Sequence, residues 1–125
     1  MSKLAIKYQI IKIVVPIAEA LVSVTVNSDK LYKRISGLLI TMPFDIPASD
    51  KSQCSIIIND NEIFPENFEV KLLVSDLAIP VNERFYGIEE QAEGSTVKIK
   101  FKDGGAVGTV YPYQASLYLK LEDRI

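Results

Sequence analysis

The sequence has no histidine, no tryptophan and a single cysteine. Histidine is the side chain best suited to proton transfer near neutral pH, so its absence excludes Ser-His-Asp and Cys-His catalytic arrangements. One cysteine cannot form a disulfide within the chain, which fits a reducing compartment. Without further cysteines or histidines, the usual zinc and iron–sulfur sites are excluded as well. The sequence therefore predicts neither a metal nor a cofactor.

The single cysteine, Cys54, lies beside the apolar run Ile56 to Ile58. A thiol becomes a nucleophile where a cationic or basic neighbour stabilises the thiolate. In apolar surroundings a free cysteine behaves instead as a small hydrophobic side chain. We therefore interpret Cys54 as a buried residue and predict that the protein is not an enzyme.

The sequence also has no long run of like charges: its 14 basic and 16 acidic residues are spread along the chain and leave a net charge of -2. No run of basic residues could neutralise phosphates or dock on anionic lipid, so the sequence predicts no nucleic-acid or membrane-surface partner. At 125 residues, 48% of them hydrophobic, the chain has the size and composition of one folded domain, residues 1–125. The apolar segment Ile10 to Ile17 resembles a secretory signal, but Lys12 and Pro16 interrupt it and it is too short to span a bilayer.

Most of the regular patterns in the sequence are those of β-strands. Apolar side chains alternate with lysines from Thr96 to Lys102, and the same alternation occurs in Val22 to Val26 and in Leu117 to Leu121. This period of two is typical of strands with one face in a core and one in water. The continuous apolar runs Leu38 to Ile40 and Ile56 to Ile58 indicate strands that are covered on both sides.

Four further segments have strand-like composition, and no segment has a sustained helical period; the four are Lys3 to Val15, Leu31 to Met42, Phe68 to Val74 and Glu83 to Ile88. Turn residues separate the candidates, among them Pro65-Glu66-Asn67 and Asp103-Gly104-Gly105. Eight or nine short strands in one small domain predict an all-β fold, a single antiparallel β-sandwich of jelly-roll type. The long apolar strand from Lys3 would invite pairing with another chain if it lay at a sheet edge.

The polar stretch Asn59 to Glu62 interrupts two apolar segments. We predict a tight hairpin with Asp60 and Asn61 at its two central positions, because both residue types tolerate positive φ. A calcium loop is the alternative, but this stretch lacks the glycine and the spacing that an EF-hand requires.

Two aromatic groups are candidates for a contact surface. Arg84, Phe85 and Tyr86 combine the side chains that dominate protein interfaces, although an ordinary strand would send Phe85 into the core and Arg84 and Tyr86 outward. Tyr111 and Tyr113 flank a proline and could stack on a sugar ring, or they could form local packing.

Two other groups have mainly structural interpretations. Glu89, Glu90 and Glu93 could supply paired carboxylates to a hydrolase, but we place them in a solvated loop that ends at Gly94. The run Gly104 to Gly108 lacks the spacing of a phosphate-binding loop and is interpreted as a turn or bulge between strands.

Four segments taken together resemble small all-β structural proteins of phages that infect Bacteroidota: Tyr32 to Gly37, Ile63 to Lys71, Glu83 to Tyr86, and Tyr111 to Tyr113 with Leu117 to Leu119. The resemblance implies a jelly-roll virion protein, for example a capsid-vertex, minor capsid or spike-base component assembled in the host cytoplasm. It implies a homo-oligomer that contacts other virion proteins, and it carries over no catalytic residues. The alternative function is a glycan- or cell-surface-binding module that uses Tyr86, Tyr111 and Tyr113.

Overall fold

The computed structural model describes residues 4–42, 51–70, 73–74 and 84–124. These residues form eight β-strands and no α-helix. The strands are β1 (Leu4–Val15), β2 (Leu21–Asn27), β3 (Arg34–Thr41), β4 (Gln53–Ile58), β5 (Asn61–Glu69), β6 (Tyr86–Gln91), β7 (Thr96–Lys102) and β8 (Tyr113–Arg124). The predicted all-β class is confirmed.

The strands form two four-stranded antiparallel sheets. Sheet A has the order β1-β8-β3-β6, and sheet B has the order β2-β7-β4-β5. The pairs are nested, because β1 pairs with β8, β2 with β7, β3 with β6 and β4 with β5. This is the connectivity of one long hairpin whose strand pairs alternate between two sheets, which is the arrangement of a jelly roll.

One hydrophobic core lies between the sheets. Val97, Ile99 and Phe101 of β7 are fully buried, while the lysines between them face away from the core, as the alternation predicted. Leu117, Leu119 and Leu121 of β8 contribute in the same way from sheet A. In β3, all three of Leu38, Leu39 and Ile40 are buried, which confirms that this run is covered on both sides.

The hairpin between β4 and β5 turns one residue earlier than predicted. Its central residues are Asn59 and Asp60, with φ of 51° and 63°, and Ile58 pairs directly with Asn61. Two positive φ values are what a type I′ turn requires. Asn61 therefore begins β5 instead of belonging to the turn.

The prediction around Pro65 is wrong in two respects. Pro65 was expected to end a strand, but β5 continues through it, with a register shift that lengthens β5 between Phe64 and Phe68. Proline is tolerated here because β5 is an edge strand, where a missing N–H removes no ladder bond. The separate strand predicted from Phe68 to Val74 is not observed in the described residues, since Phe68 and Glu69 are the last two residues of β5 and Leu73 and Val74 lie outside any strand. Residues 71–72 of that prediction lie outside the described part of the chain.

Candidate functional site: an exposed edge strand and a buried aspartate

Tyr111 and Tyr113, two residues of the predicted contact surface, converge on Asp103. The hydroxyl of Tyr113 donates a hydrogen bond to Asp103 Oδ1 at 2.7 Å, and the hydroxyl of Tyr111 donates to Oδ2. The backbone N–H groups of Glu19 and Gly105 also donate to Oδ2, each at 3.0 Å. One carboxylate therefore accepts four hydrogen bonds and connects the β1–β2 loop with the β7–β8 loop.

The hydrogen bonds of Asp103 determine its charge state. Asp103 has no exposed surface, and burial by itself would raise the pKa of its carboxyl. The hydroxyls of Tyr111 and Tyr113 and the two backbone N–H groups outweigh burial and hold the pKa of Asp103 below its usual value. Conversely, burial and the bond to Asp103 raise the pKa of Tyr113. The cluster is therefore an ionised carboxylate held by neutral phenols.

The burial and contacts of Tyr111 and Tyr113 distinguish between a sugar-stacking surface and local packing. Tyr113 has only 6% of its surface exposed, and its ring packs edge-on against Phe101 with centroids 6.5 Å apart. Tyr111 is half-buried and packs against Tyr113. Tyr113 is therefore not part of an exposed platform, and the local-packing interpretation describes both rings. No pattern in the sequence distinguishes Asp103 from an ordinary turn residue, because it stands directly before Gly104 and Gly105.

Phe85 and Tyr86 lie on opposite faces of sheet A: Phe85 is half-buried on the outer face, and Tyr86 lies on the face toward sheet B while keeping 45% of its surface exposed. Phe85 precedes β6 and lies over Gly37 on the outer face, where a Cβ added to Gly37 would meet Phe85 Cβ at 2.9 Å. Tyr86 contacts the buried ring of Phe64 in sheet B, with centroids 5.2 Å apart. Arg84, the third residue of this group, is half-buried.

The acidic residues do not form the loop cluster that was expected. Glu89 and Glu90 lie within β6, and Glu93 lies in the turn that follows. Glu89 approaches Arg34 at 3.6 Å, and Glu90 accepts a hydrogen bond from Asn61 at 3.0 Å. The side chains of Glu89 and Glu90 thus engage different partners, and the described residues contain no group of three or more acidic, cysteine or histidine side chains placed to hold a metal.

The main exposed feature is β1 itself. Its alternate residues Ile6, Tyr8, Ile10 and Val14 are 44%, 44%, 52% and 54% exposed. We call these four residues the β1 strip. They point to the outer face of sheet A, because their pairing partners on β8 are even-numbered residues, which alternate with the core residues Ala115, Leu117, Leu119 and Leu121. Lys12 is the only charged residue in this row.

The β1 strip lies on an edge. β8 pairs with one side of β1 along all twelve residues, and within the described part of the chain no strand pairs with the other side. Edge strands carry unpaired N–H and C=O groups, and natural proteins usually protect them with charges, prolines or short length. β1 is long and has no proline, and its charges are limited to Lys7, which is paired with Asp29, and Lys12, so it has little of this protection.

An aromatic contact extends the apolar surface away from the edge. The ring of Tyr8 stacks on Phe85, with centroids 5.4 Å apart and planes inclined by 29°. Because Phe85 lies over Gly37, the two rings bridge the outer face from β1 across to β3. Glycine at position 37 is what leaves room for Phe85, so this residue supports the surface without contributing a side chain.

The outer face of sheet B has the opposite character. Lys98, Lys100 and Lys102 run along β7, and the neighbouring strand β2 presents Ser23 and Thr25. The outer rows of the two sheets therefore differ: that of β1 is apolar apart from Lys12, whereas that of β7 is basic and that of β2 is polar apart from Leu21, which is 66% exposed. Exposed apolar side chains are therefore more numerous in the outer row of β1 than in the outer rows of β2 and β7.

Two cavities lined by described residues are small, and most of their lining side chains are polar or charged. One of about 210 Å³ is lined by Lys33, Arg34, Glu122 and Asp123, and Arg34 is already bound to Glu122 at 2.6 Å. Another of about 260 Å³ lies beside the β4–β5 turn, next to Asp60. Ligand sites are usually larger and mostly apolar, so these cavities do not suggest a small-molecule substrate.

No helix in the described residues is long and apolar enough to cross a membrane. Comparison with known proteins adds no relative: no family model matches the chain, and neither a curated protein nor a solved structure matches it. The candidate site rests on the geometry of the chain itself.

Proposed function

We propose that this protein is a non-enzymatic structural protein that acts through protein–protein contacts, as an oligomeric component of a phage virion. The β1 strip is the contact surface. The observation that carries the proposal is the combination, in one strand, of an unpaired edge and four exposed apolar side chains. Either feature alone is common on protein surfaces, whereas together they form a template for strand addition.

Strand addition would satisfy both features at once. A strand placed beside β1 would take up its free backbone groups, and the outward side chains of that strand would pack alongside Ile6, Ile10 and Val14. Backbone hydrogen bonds supply affinity in this mode of recognition, and the alternate side chains supply specificity. The stack of Tyr8 on Phe85 would lie under the edge of such a contact and hold its apolar surface in place.

The placement in a virion is supported by the resemblance and by the strand order. Jelly rolls serve as capsid domains because a rigid sandwich offers edges and faces to neighbours while its core stays closed. In this chain the most deeply buried polar group, Asp103, is engaged in fixing loops. Capsid-vertex, minor capsid and spike-base positions all fit a small sandwich of this kind.

The test of assembly compares two lysine substitutions on edge strands. Ile10→Lys places a charge in the β1 strip, and Thr25→Lys places the same charge on β2, the edge of sheet B. Losing the burial of one isoleucine, about 2 kcal/mol, weakens an interface roughly 30-fold or more. Sedimentation velocity and native mass spectrometry should show an oligomer for the unchanged protein and for Thr25→Lys, and a monomer for Ile10→Lys at the same concentration.

A strictly monomeric protein from micromolar to millimolar concentration would overturn the proposal. If the oligomer persists in Ile10→Lys, the contact surface is not the β1 strip. The virion placement has its own test, which is peptide mass spectrometry on particles purified from the cells that produce the protein. The chain should be found in the particle fraction at a fixed ratio to the major shell protein.

A further inference from the structure

The outward-facing residues of β1 form a sequence that is complementary to itself when it is read in the opposite direction. In order they are Ile6, Tyr8, Ile10, Lys12 and Val14. Reversing this row about Ile10 places isoleucine opposite isoleucine, Ile6 opposite Val14, and Tyr8 opposite Lys12. An edge with this property has a natural partner in a second copy of the same chain.

We propose that β1 pairs in antiparallel fashion with β1 of a second copy, about a two-fold axis that passes through Ile10. The two copies of sheet A then form one continuous eight-stranded sheet. This inference rests on the proposed function and names the partner of the β1 strip. Interfaces of this type are isologous, since the same surface is used on both sides.

The geometry of an antiparallel ladder restricts the register. Residues directly opposite each other point to the same face, so outward residues must meet outward residues. Pairing centred on Ile10 joins residues 5 to 15, eleven residues or about 37 Å of strand. Only pairing centred on Gln9 joins as many residues of β1 while keeping the faces matched.

Side-chain chemistry separates these two registers. Centred on Gln9, Lys12 would lie opposite Ile6, and an ammonium group would be covered by an aliphatic side chain. Centred on Ile10, Lys12 lies opposite Tyr8, whose ring attracts a cation and whose length leaves the ammonium group near water. Ile6 then meets Val14, so every outward apolar residue of the strand faces a favourable partner.

Charge repulsion is also avoided in the register centred on Ile10. The two Lys12 side chains of the dimer are four residues, or about 13 Å, apart along the strands, beyond the screening length of physiological salt. On the other face of β1, Lys7 forms an ion pair with Asp29 of its own chain at 2.5 Å. Two copies therefore meet without placing like charges opposite each other.

Engineered cysteines test both the partner and the register. Cys54 is the only native cysteine and is 2% exposed, so an introduced cysteine is the accessible thiol. Ile10→Cys should form a disulfide-linked dimer with itself under mild oxidation, because directly opposite Cβ atoms lie about 4.5–5.5 Å apart, close to disulfide geometry. A mixture of Ile6→Cys and Val14→Cys should cross-link across the two variants.

The matched controls are the same two variants kept separate. In the proposed register two Ile6→Cys chains place their thiols eight residues apart, about 27 Å, so each variant alone should cross-link at least about tenfold more slowly than the mixture. The measurement is the fraction of dimer on a non-reducing gel over time, with heavy- and light-isotope chains to identify the mixed species.

The outcomes separate this inference from the proposed function. Suppose that Ile10→Lys dissociates the oligomer but Ile10→Cys does not form a disulfide with itself. The β1 strip is then a contact surface, as proposed, but it contacts a different chain or segment, and the self-pairing is wrong. If Ile6→Cys links to itself as fast as the mixture does, the register is wrong. If no oligomer forms under any condition, both proposals fail.

Discussion

At the scale of single residues, Asp103 has the largest structural role among the buried polar groups. Its carboxylate accepts hydrogen bonds from the backbone of two loops, from Tyr111 in the β7–β8 loop and from Tyr113 at the start of β8. A buried charge is stable only when such bonds replace water. Asp103 therefore fixes the end of the sandwich where β1 meets β2 and β7 meets β8.

Replacing Asp103 by asparagine should destabilise the protein. The amide keeps the shape of the carboxyl but loses the charge, and its NH₂ group would face donors that need an acceptor. We expect the free energy of unfolding at pH 7 to fall by about 2 kcal/mol, measured by chemical denaturation. Glu62→Gln, the same change at an exposed position of β5, is the control and should have little effect.

The pH dependence of this difference follows from the direction of the pKa shift. The pKa of Asp103 in the folded state lies below its usual value of 3.8 because hydrogen bonds outweigh burial. The unfolded chain therefore takes up the proton first as pH falls, and the stabilisation is lost as pH falls through the folded pKa. The difference in the free energy of unfolding between the unchanged protein and Asp103→Asn should be constant above about pH 5 and should become smaller below the usual pKa of an aspartate. A gap that widened as pH fell would contradict the assignment.

Cys54 should be unreactive in the folded protein. Burial raises the pKa of its thiol to about 12, so almost no thiolate exists at pH 8. A chromogenic disulfide reagent should label it only after denaturant is added, while Thr25→Cys should supply one thiol that reacts at once. Labelling of native Cys54 at the rate of the Thr25→Cys thiol would show that β4 opens readily.

At the scale of secondary-structure elements, alternation in the sequence predicted the strands whose two faces differ. β2 and β7 were found this way because every second residue enters the core. β5 was cut short in the prediction because Pro65 was treated as a break. Proline is a break only where its missing N–H matters, and that depends on whether the strand lies at an edge. Edge position is a property of the sheet, which a local pattern does not contain.

The β4–β5 turn gives a prediction at this scale. Asp60 has a φ of 63°, a conformation that glycine adopts without cost and that alanine adopts with strain. Asp60→Gly creates the Asn-Gly pair preferred in type I′ turns and should raise the free energy of unfolding by about 0.5 kcal/mol. Asp60→Ala should lower it by a similar amount. The two variants should move the denaturation midpoint in opposite directions, and a shift of both in the same direction would contradict the turn assignment.

At the scale of the whole molecule, the nested pairing of strands determines which surface is exposed. The sequence pattern predicted a β-sandwich and indicated that β1 would pair with other chains if it lay at a sheet edge. It did not predict that β1 lies at an edge. That placement depends on β8 pairing with β1 on one side and with β3 on the other, which joins residues 75 to 120 positions apart. The same long-range pairing buried Tyr113, which adjacent residues alone had made a candidate for an exposed surface.

The two outer faces lead to a prediction about salt. If assembly uses the β1 strip, the contact involves apolar side chains and backbone bonds, and Lys12 is the only charged residue in its row. Raising sodium chloride from 0.05 to 0.5 M should then change the dissociation constant by less than about threefold, because screening acts on exposed charges. Assembly through the lysines of β7 would weaken steeply over the same range. Sedimentation equilibrium at several salt concentrations, with Lys98→Gln and Lys102→Gln as matched variants that should leave assembly unchanged, decides between the faces.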